Sequence, residues 1–250
     1  MSVPTHTYLI NLDRSKDRLN EFWRYNERLK IDVERFPGVD GSKLNIADLQ
    51  AKGQIDPVIA KTYTPGAIGA TLSHAALWDK AIAANEAVTI IEDDAIFNFD
   101  FEAAAREFFG RLDDDWDFVL WGWNFDAPLL FELMPNVSPC LANFNQAQMV
   151  TAIEQFQKLS LAPLGFRLLR CFGVPCYSVS PRGARALKAG CVPIRAMTVF
   201  FPGLNQNFAN VGIDCMMNAV FPNIKAYLSF PPLVITKNEL GKSLSQRKPK

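Results

Sequence analysis

The part of the chain with the most evident chemistry is a run of three carboxylates, Glu92, Asp93 and Asp94. It directly follows the apolar, β-prone run 88–91, which predicts a strand buried on both faces. In open α/β sheets, ligands bind at the carboxyl ends of the strands. Three neighbouring negative charges repel one another, and a hard divalent cation such as Mg²⁺ or Mn²⁺ would relieve that repulsion. The run therefore predicts a metal-assisted phosphate site, although an isolated acidic triplet is more often a solvated turn.

Strand-forming and helix-forming segments alternate around this run. The predicted strands are His6–Leu12, Val33–Phe36, Val88–Ile91, Trp116–Trp123 and Gly173–Val179, and the predicted helices are Lys16–Leu29, Asn45–Lys52, Ala67–Ala84, Phe101–Leu112, Gln146–Leu159 and Arg182–Ala189. We expect Ser15, Asp100 and Ser180 to cap the helices that follow them. The order predicts an α/β fold with a doubly wound, mainly parallel sheet and helices on both faces.

The side chains that follow the first predicted strand could reach the same ligand edge. Asn11, Asp13 and Arg14 lie in the loop after this strand, and Arg18 lies in the first turn of the next helix. Arginine binds phosphate through a planar fork of N–H donors, so Arg14 and Arg18 are candidate phosphate ligands. A solvated first helical turn explains the two arginines equally well.

A histidine and an isolated acid are the remaining candidates. His74 shares one helical face with Thr71 and Trp78, where a histidine is more often packed in the core than catalytic. Asp214 has apolar neighbours, and removal of a carboxylate from water raises its proton affinity, as a general base requires. A helix N-cap and an additional metal ligand are the competing roles for Asp214.

Composition limits the partners and the compartment. The chain has 250 residues, and its 26 basic and 26 acidic residues cancel, so net charge gives no general attraction to nucleic acid or anionic membranes. Five cysteines without a Cys-x-x-Cys pair, beside two histidines, argue against structural zinc and for free thiols in a reducing compartment. No apolar signal segment or membrane-spanning run occurs, which predicts a cytoplasmic protein that could contact the inner membrane peripherally.

We predict one catalytic domain over residues 1–236. Residues 124–170 contain four prolines and many Phe, Leu and Asn residues, and are predicted to form an insertion or lid over the ligand edge. Residues 237–250 are polar and basic, which predicts a disordered tail. The chain has no Gly-x-Gly-x-x-Gly and no Gly-x-x-x-x-Gly-Lys fingerprint, so NAD-binding and P-loop hypotheses lose their best support.

Several segments together resemble glycosyltransferase family 25, the lipooligosaccharide galactosyltransferases and their collagen-modifying relatives. The matching segments are Tyr8–Arg18, Phe36–Gly41, Gly66–His74 with Trp78, Ile91–Asp94 and, more weakly, Cys176–Ala184 followed by Asp214. The third segment is similar to the family's GEIGCxLSHxxxW helix, although Ala67 and Ala70 stand where Glu and Cys are commoner. The resemblance covers residues 8–214, apart from the insertion.

The resemblance implies a GT-A-type fold and an inverting transfer of a hexose, most often galactose, from a UDP-sugar to a glycan acceptor such as lipooligosaccharide. It also implies that Mn²⁺ or Mg²⁺ is bound directly by Asp94 together with Glu92. Glu92 or Asp93 would then serve the ribose or a metal-bound water. The nucleotide sugar would also contact the residues of the first loop and helix, which are Asn11, Asp13, Arg14 and Arg18. Asp214 and His74 are the catalytic candidates.

Two other classes of function stay open for the same residues. A nucleotidyltransferase or metal-dependent phosphoesterase could use the same acidic edge, but it would release pyrophosphate or phosphate instead of UDP. A catalytically silent nucleotide-sugar-binding module would bind the donor without turnover. The replacement of Glu by Ala67 leaves room for this second class.

Overall fold

The computed structural model describes residue 4 and residues 6–59 and 62–238 of the chain. The first half contains β1 His6–Asn11, α1 Lys16–Tyr25, β2 Val33–Pro37, α2 Ile46–Ala51, α3 Pro65–Ala84, β3 Val88–Glu92, β4 Ala95–Phe97, α4 Phe101–Arg111 and β5 Phe118–Leu120. The second half contains β6 Leu129–Met134, β7 Ser138–Ala142, α5 Gln146–Thr151, α6 Ile153–Lys158, β8 Leu164–Arg170, β9 Cys176–Val179, α7 Pro181–Cys191, β10 Thr198–Phe201, β11 Gln206–Ala209, α8 Ile213–Val220, β12 Ala226–Phe230 and β13 Val234–Thr236.

A nine-stranded sheet in the order β2-β1-β3-β9-β5-β12-β8-β6-β7 forms the centre of the domain. Strands β2, β1 and β3 are parallel to one another, and β5 is parallel to β12. Strand β8 is antiparallel to both β12 and β6, so β6 has the same direction as β12. Strand β9 runs antiparallel between β3 and β5. Six of the nine strands therefore share one direction, as the element order predicts for a mainly parallel sheet, and three run in reverse: β9 at the centre, and β8 and β7 towards one edge.

Helices cover both faces of this sheet, which explains the continuous apolar strands. Ile90 of β3 packs in the core beneath α3, α7 and α8, while the next residue, Ile91, packs on the opposite face against α1 and α4. Successive side chains of a strand point to opposite faces, so both must be apolar when both faces are covered. The α/β fold with helices on both sides is confirmed.

The strand register brings the predicted ligand loops together. Ile10 of β1 lies opposite Glu92 of β3, so the residues that follow both strands share one edge. Because β9 is antiparallel to β3, with Ile91 opposite Cys176, the residues that precede β9 reach the same edge. The sequence predicts a strand here but gives no indication of its reversed direction.

Residues 124–170 extend the main sheet through β6, β7 and β8. The helix predicted over 146–159 forms as the two short helices α5 and α6. Met149 of α5 and Ile153 of α6 form a small, separate hydrophobic cluster with Ile96 and Ile235. Most of the predicted insertion is thus sheet and supporting helix.

Several predicted boundaries and caps differ from the structure. Helix α1 ends at Tyr25 rather than Leu29, because the Asn26 side chain donates to the carbonyl of Ala95 at 2.9 Å and accepts from the N–H of Phe97 at 2.9 Å. Asn26 thereby ties the end of α1 to β4. The predicted strand Trp116–Trp123 is regular only over β5.

Of the three predicted caps, one is confirmed. Ser180 accepts from the N–H of Gly183 at 3.1 Å, whereas Ser15 and Asp100 precede their helices without a capping hydrogen bond from the side chain. Within the described ranges, no helix combines the length and the apolar character that crossing a bilayer requires. All five cysteines are free thiols.

Part of the predicted tail packs on the domain. The Lys237 ammonium lies 3.0 Å from a carboxylate oxygen of Glu21, and the Asn238 side chain donates to both oxygens of Asp126 at 2.9 Å. The rest of the predicted tail, residues 239–250, lies outside the described residues.

Candidate active site

A cavity of about 470 Å³ opens at the carboxyl ends of β1 and β3. The loop after β1, the start of α3 and the acidic run form one side, and residues 124, 126–127, 172–175, 208–209 and 211–215 form the other. The site residues predicted from the sequence that line it are Asn11, Arg14, Arg18, His74, Glu92, Asp93, Asp94 and Asp214. These residues come from four separate parts of the chain, and the fold brings them to one space.

Helix α3 reaches the cavity because two glycines allow backbone to pack on backbone. A Cβ on Gly69 would lie 2.3 Å from the carbonyl oxygen of Val39, and one on Gly41 would lie 1.7 Å from the carbonyl oxygen of Pro65. Real Cβ atoms do not approach so closely, so both positions require glycine. The Ser73 hydroxyl accepts from the N–H of Val39 at 2.8 Å and fixes the contact. This packing sets the depth at which His74 enters the site.

The His74 ring is held by a buried chain of hydrogen bonds. Trp78 Nε1 donates to the Tyr177 hydroxyl at 2.9 Å, and the same hydroxyl lies 2.8 Å from His74 Nδ1. Burial raises the pKa of Tyr177, so its hydroxyl stays protonated and donates to Nδ1. The ring proton of His74 then lies on Nε2, 3.3 Å from Oε1 of Glu92. His74 is thus both a packed core residue and a neighbour of the acidic run.

Asp93 is neutralised by an arginine. Arg18 donates to Oδ1 of Asp93 through Nε at 2.8 Å and also through Nη2. Asn11 donates to the other oxygen at 2.7 Å, while its own carbonyl oxygen accepts from Arg35 at 3.1 Å. Both carboxylate oxygens of Asp93 are therefore bonded to side chains of the domain, and Asn11 helps to hold this carboxylate in place.

Asp94 is in a different state from its neighbour. Its Oδ1 atom is buried and has no hydrogen-bond partner among the described residues, and its Oδ2 atom lies 3.7 Å from Nη2 of Arg18. Burial, followed by repulsion from Glu92, raises the pKa of Asp94 to about 7, although the charge of Arg18 opposes the shift. Asp94 thus carries a buried oxygen, Oδ1, that accepts no hydrogen bond from the described residues.

The acidic run fits a cation that is shared with a phosphate ligand. Glu92 and Asp94 offer carboxylate oxygens to the cavity, and Asp93 is already paired. The described part of the chain holds no cluster of three or more His, Cys, Asp or Glu side chains placed to bind a metal. Mg²⁺ commonly binds through one or two carboxylates, with phosphate oxygens and waters completing its shell. Such a donor set is what Glu92 and Asp94 present.

Asp214 faces the cavity from the first turn of α8. Its Oδ2 atom accepts from the N–H of Gly173 at 3.0 Å, and its Oδ1 atom accepts from the N–H of Cys215 at 2.9 Å. Gly212 holds the N-cap position, so Asp214 does not fill the cap role that its sequence context allowed. Burial raises the pKa of Asp214 against the lowering effect of these two N–H groups. The result is a carboxylate with raised proton affinity, separate in the chain from the acidic run.

Two predicted nucleotide ligands have partners elsewhere. Arg14 lines the cavity but binds Asp40 through two hydrogen bonds, of 2.9 and 3.2 Å. These bonds hold the pKa of the Asp40 carboxyl well below its usual range. Asp13 is not among the residues that line the cavity; its side chain is 77% exposed and lies 2.6 Å from Arg35.

Several residues of the site were missed by the sequence reasoning. Arg35 and Tyr177 support Asn11 and His74 from other strands, and no local pattern marks them. Asn124 and Asp126 line the cavity from the start of a region whose sequence has no clear periodicity. Phe172 and Phe208 also line it, but aromatic residues are so frequent in this chain that none of them stands out.

Comparison with known proteins identifies related sequences. The family model described as "Glycosyltransferase family 25 (LPS biosynthesis protein)" matches residues 4–195, which is more than half of the chain. A protein of Aedes aegypti named "Glycosyltransferase 25 family member" is 36% identical over 130 residues, covering 47% of this chain and 21% of its own length.

Two further relatives carry more specific names. Human "Procollagen galactosyltransferase 2" is 32% identical over 125 residues, which cover 46% of this chain and 20% of the human protein. A Bos taurus protein named "Probable inactive glycosyltransferase 25 family member 3" is 26% identical over 125 residues, 46% of this chain and 21% of the relative. The matched segments thus span about a fifth of the length of these curated relatives.

Proposed function

Because the chain belongs to glycosyltransferase family 25, we propose that it transfers a hexose from a UDP-sugar to a hydroxyl group of a glycan acceptor. Galactose is the first candidate for the hexose, since the human relative is named a galactosyltransferase. The observation that carries the proposal is the convergence of two separate acidic groups on one cavity, Glu92 with Asp94 and, from α8, Asp214. One group suits a cation and diphosphate, and the other suits an acceptor hydroxyl.

In this proposal Glu92 and Asp94 would hold Mn²⁺ or Mg²⁺, which would supply positive charge to offset that of the departing diphosphate. The unpartnered, buried Oδ1 of Asp94 supports this role, because a charged oxygen without a partner is otherwise unfavourable. His74 donates to Glu92 from a fixed ring and keeps that carboxylate oriented.

Asp214 acts as the general base in the proposed reaction. The acceptor oxygen forms a bond to the anomeric carbon from the side opposite UDP, the bond between that carbon and the diphosphate oxygen breaks, and the hydroxyl proton moves to Asp214. Attack from the opposite side inverts the anomeric configuration. The raised pKa of Asp214 supports this assignment, since a base must hold the proton that it accepts.

The positive side chains of the first loop and helix suit the donor. Arg18 and Arg14 lie on the side of the cavity next to β1, where the nucleotide diphosphate would meet them. Both arginines are paired with a carboxylate, but the partner of Arg18 is Asp93 of the acidic run itself, whereas the partner of Arg14 is Asp40, outside that run. We therefore expect Arg18 to contribute more than Arg14.

The acceptor and the compartment form part of the proposal. A lipooligosaccharide acceptor is favoured because the family is described as LPS biosynthesis proteins, whereas the human relative is named for procollagen. Five free thiols support a reducing compartment such as the cytoplasm, where peripheral contact with the inner membrane would give access to a glycolipid.

The test combines binding with product analysis. Calorimetry should detect UDP binding that depends on Mn²⁺, and incubation with UDP-hexoses and lipooligosaccharide should release UDP, with the largest release from UDP-galactose. Asp79→Asn, which changes an exposed carboxylate paired with Lys188, serves as the matched control. Release of pyrophosphate or phosphate without UDP would instead indicate a nucleotidyltransferase or phosphoesterase.

A catalytically silent nucleotide-sugar-binding module is the second candidate. The name of the bovine relative favours it, and so does Ala67 at a cavity position where the family more often has Glu. Binding of UDP with Mn²⁺ but no UDP release from any donor, with lipooligosaccharide or a procollagen peptide as acceptor, would establish this alternative.

A further inference from the structure

The wall of the cavity that lies away from β1 is apolar. Phe172, Phe208, Val211 and Ile213 line it, and the Val211 side chain is 54% exposed. The lining residues of this wall are 172–175, 208–209 and 211–213, and they include no charged side chain. This side of the cavity is therefore unsuited to a diphosphate, and it differs in chemistry from the side with Arg14 and Arg18.

Two aromatic rings of this wall stand on a buried third ring. The ring centres of Phe172 and Phe208 are 5.2 Å apart, and they lie 5.8 and 5.9 Å from the centre of Phe201. Phe201 is 1% exposed and does not line the cavity, whereas Phe172 and Phe208 are half-buried. The cluster is an aromatic platform: Phe201 is its base in the core, and Phe172 and Phe208, whose planes are inclined by 57°, line the cavity.

The backbone beneath the platform is tied down on both sides. At the base of the β10–β11 hairpin, buried Asn210 accepts from the Tyr63 hydroxyl at 2.8 Å and donates to the carbonyl of Arg195 at 2.7 Å. On the other side, the N–H of Asn124 donates to the carbonyl of Phe172 at 2.9 Å. The rings are thus placed before a ligand arrives, which lowers the entropic cost of binding it.

Polar groups lie directly beside the rings. Asp214 accepts from the N–H of Gly173, the residue after Phe172, and Asn124 and Asp126 line the adjoining part of the cavity. A pyranose ring has an apolar C–H face and hydroxyl groups along its edge. The negatively charged face of an aromatic ring attracts such C–H groups. The neighbouring carboxylates can accept hydrogen bonds from the hydroxyls, and the amide of Asn124 can both accept from them and donate to them.

We propose that Phe172 and Phe208 form an acceptor subsite that binds a pyranose ring by its C–H face and presents one hydroxyl to Asp214. The inference rests on the proposed transferase function and names the class of its acceptor, a sugar ring. Phe208 and Val211 lie beyond residue 195, where the family match ends, so the family match does not include this part of the wall. The wall therefore selects the acceptor, while the opposite side binds the donor.

The test uses methyl β-D-galactopyranoside as the probe, with UDP and Mg²⁺ present. Saturation of aromatic protein protons should transfer to the ring C–H protons of the probe in NMR spectra. Phe208→Leu keeps an apolar side chain but removes the ring, so it should abolish most of this transfer. The acceptor KM should rise about two- to tenfold, with the donor KM unchanged. Phe200→Leu is the matched control, because Phe200 is 46% exposed on the same hairpin and does not line the cavity.

A second variant covers the case in which Phe208→Leu does not fold. Val211→Asp places a charge on the exposed part of the same wall, and we expect it to lose probe binding while UDP binding is retained. Unchanged transfer to the probe in both variants would overturn the proposal. So would transfer from the aromatic protons to the hexose of UDP-galactose that depends on Phe208, because the platform would then serve the donor.

The outcomes separate this inference from the proposed function. Absence of UDP binding contradicts the transferase proposal itself. UDP binding without any binding of the pyranoside contradicts the acceptor subsite alone. Displacement of the probe by a procollagen peptide, with the loss of peptide binding in Phe208→Leu, would assign the platform to a peptide acceptor and overturn the pyranose assignment.

Discussion

The Nε2 atom of His74 lies 3.3 Å from Oε1 of Glu92, and this contact joins the core of the domain to its acidic edge. His74 is 1% exposed, whereas the Glu92 side chain is 36% exposed to the cavity. The Tyr177 hydroxyl occupies Nδ1, which leaves Nε2 as the ring nitrogen that faces Glu92. Tyr177 does not line the cavity, but through His74 it helps to orient Glu92, which does.

We expect Tyr177→Phe to reduce both stability and cation-dependent UDP binding. The change leaves Trp78 Nε1 without its acceptor in a fully buried position, which costs about 1–3 kcal/mol of unfolding free energy. It also frees His74 to exchange tautomers, so Glu92 loses a fixed donor. Urea denaturation gives the first quantity and calorimetry of UDP with Mn²⁺ gives the second.

The control for this prediction is Tyr227→Phe, which removes a hydroxyl from β12, outside the network. A Tyr177→Phe protein with reduced stability but unchanged UDP binding would limit Tyr177 to a packing role.

Local patterns in the sequence were sufficient to predict the positions of the main elements. Apolar run lengths and helical spacing do not depend on distant partners, so β1, α3, β3 and α7 appear close to their predicted bounds. The ligand edge followed from the same information, because residues after parallel strands meet at one edge of a sheet. Most candidate site residues were therefore brought together as expected, with Asp13 the exception.

The features that the sequence did not predict depend on contacts between segments that are distant in the chain. His74 and Tyr177 are 103 residues apart, and Asn11 and Arg35 are 24 apart, so no local spacing could connect them. The reversed direction of β9 is a property of its neighbours, β3 and β5, and its own sequence predicts only a strand. The same limitation explains why residues 124–170 were not recognised as sheet.

The close packing of α3 on the 39–41 turn predicts a destabilising effect for Gly69→Ala, whereas the same substitution at an open glycine should stabilise the protein. Gly69→Ala would place a Cβ 2.3 Å from a backbone oxygen, which the structure can relieve only by moving α3. We expect a loss of at least about 1–3 kcal/mol, as for overpacking in other cores, together with weaker UDP binding. Gly110→Ala in α4 is the matched variant, since nothing lies within 4 Å of its added Cβ.

Gly110→Ala should stabilise the protein by about 0.5–1 kcal/mol, because alanine loses less entropy in a helix than glycine does. Thermal and urea unfolding of the two variants beside the parent protein measure both effects. Equal stability of Gly69→Ala and the parent would show that α3 is not held against the turn as described.

The pKa of Asp94 predicts how the stability of the metal-free protein depends on pH. This pKa is about 7 in the folded protein, above the ordinary value of 3.8, so the folded state binds the proton more tightly than the unfolded chain. The contribution of Asp94 to stability therefore falls as pH rises from about 4 to about 7 and stays low above that range. Asp94→Asn, which is neutral at every pH, should remove this fall.

Melting temperatures measured with a chelator at about pH 5 and about pH 8 test this sign. We expect the variant to match the parent protein near pH 5 and to exceed it near pH 8, where Asp94 of the parent is charged. The same variant should lose UDP binding that depends on Mn²⁺. Asp79→Asn, at an exposed carboxylate, should change neither result; a lower melting temperature for Asp94→Asn at pH 8 would contradict the assignment.

Arg18 and Arg14 form a matched pair for the donor side. Arg18→Gln removes the partner of Asp93 and a positive charge 3.7 Å from Asp94, so it should weaken UDP binding by about 1–3 kcal/mol. Arg14→Gln should have a smaller effect, since the Arg14 side chain is 48% exposed and its partner, Asp40, is not part of the acidic run. Calorimetric titration of both variants with UDP and Mn²⁺ compares them directly, and the reverse order would contradict this ranking.

Asp214→Asn distinguishes the base from the other roles of this residue. Its side chain accepts two backbone N–H groups, and asparagine can accept only one of them without turning an amide N–H towards the other. We expect a modest stability loss of about 1 kcal/mol. Transfer should fall about 10²- to 10⁴-fold if Asp214 takes the acceptor proton, while UDP affinity with Mn²⁺ stays at the parent value.

Asp126→Asn is the appropriate comparison, because Asp126 lines the same cavity and is held by Asn238 rather than by the backbone of α8. Single-turnover measurement of UDP release, with UDP affinity determined in parallel, separates the outcomes. Loss of UDP affinity in Asp214→Asn would indicate a metal ligand. Near-normal transfer in Asp214→Asn, with a large loss in Asp126→Asn, would move the role of base to Asp126.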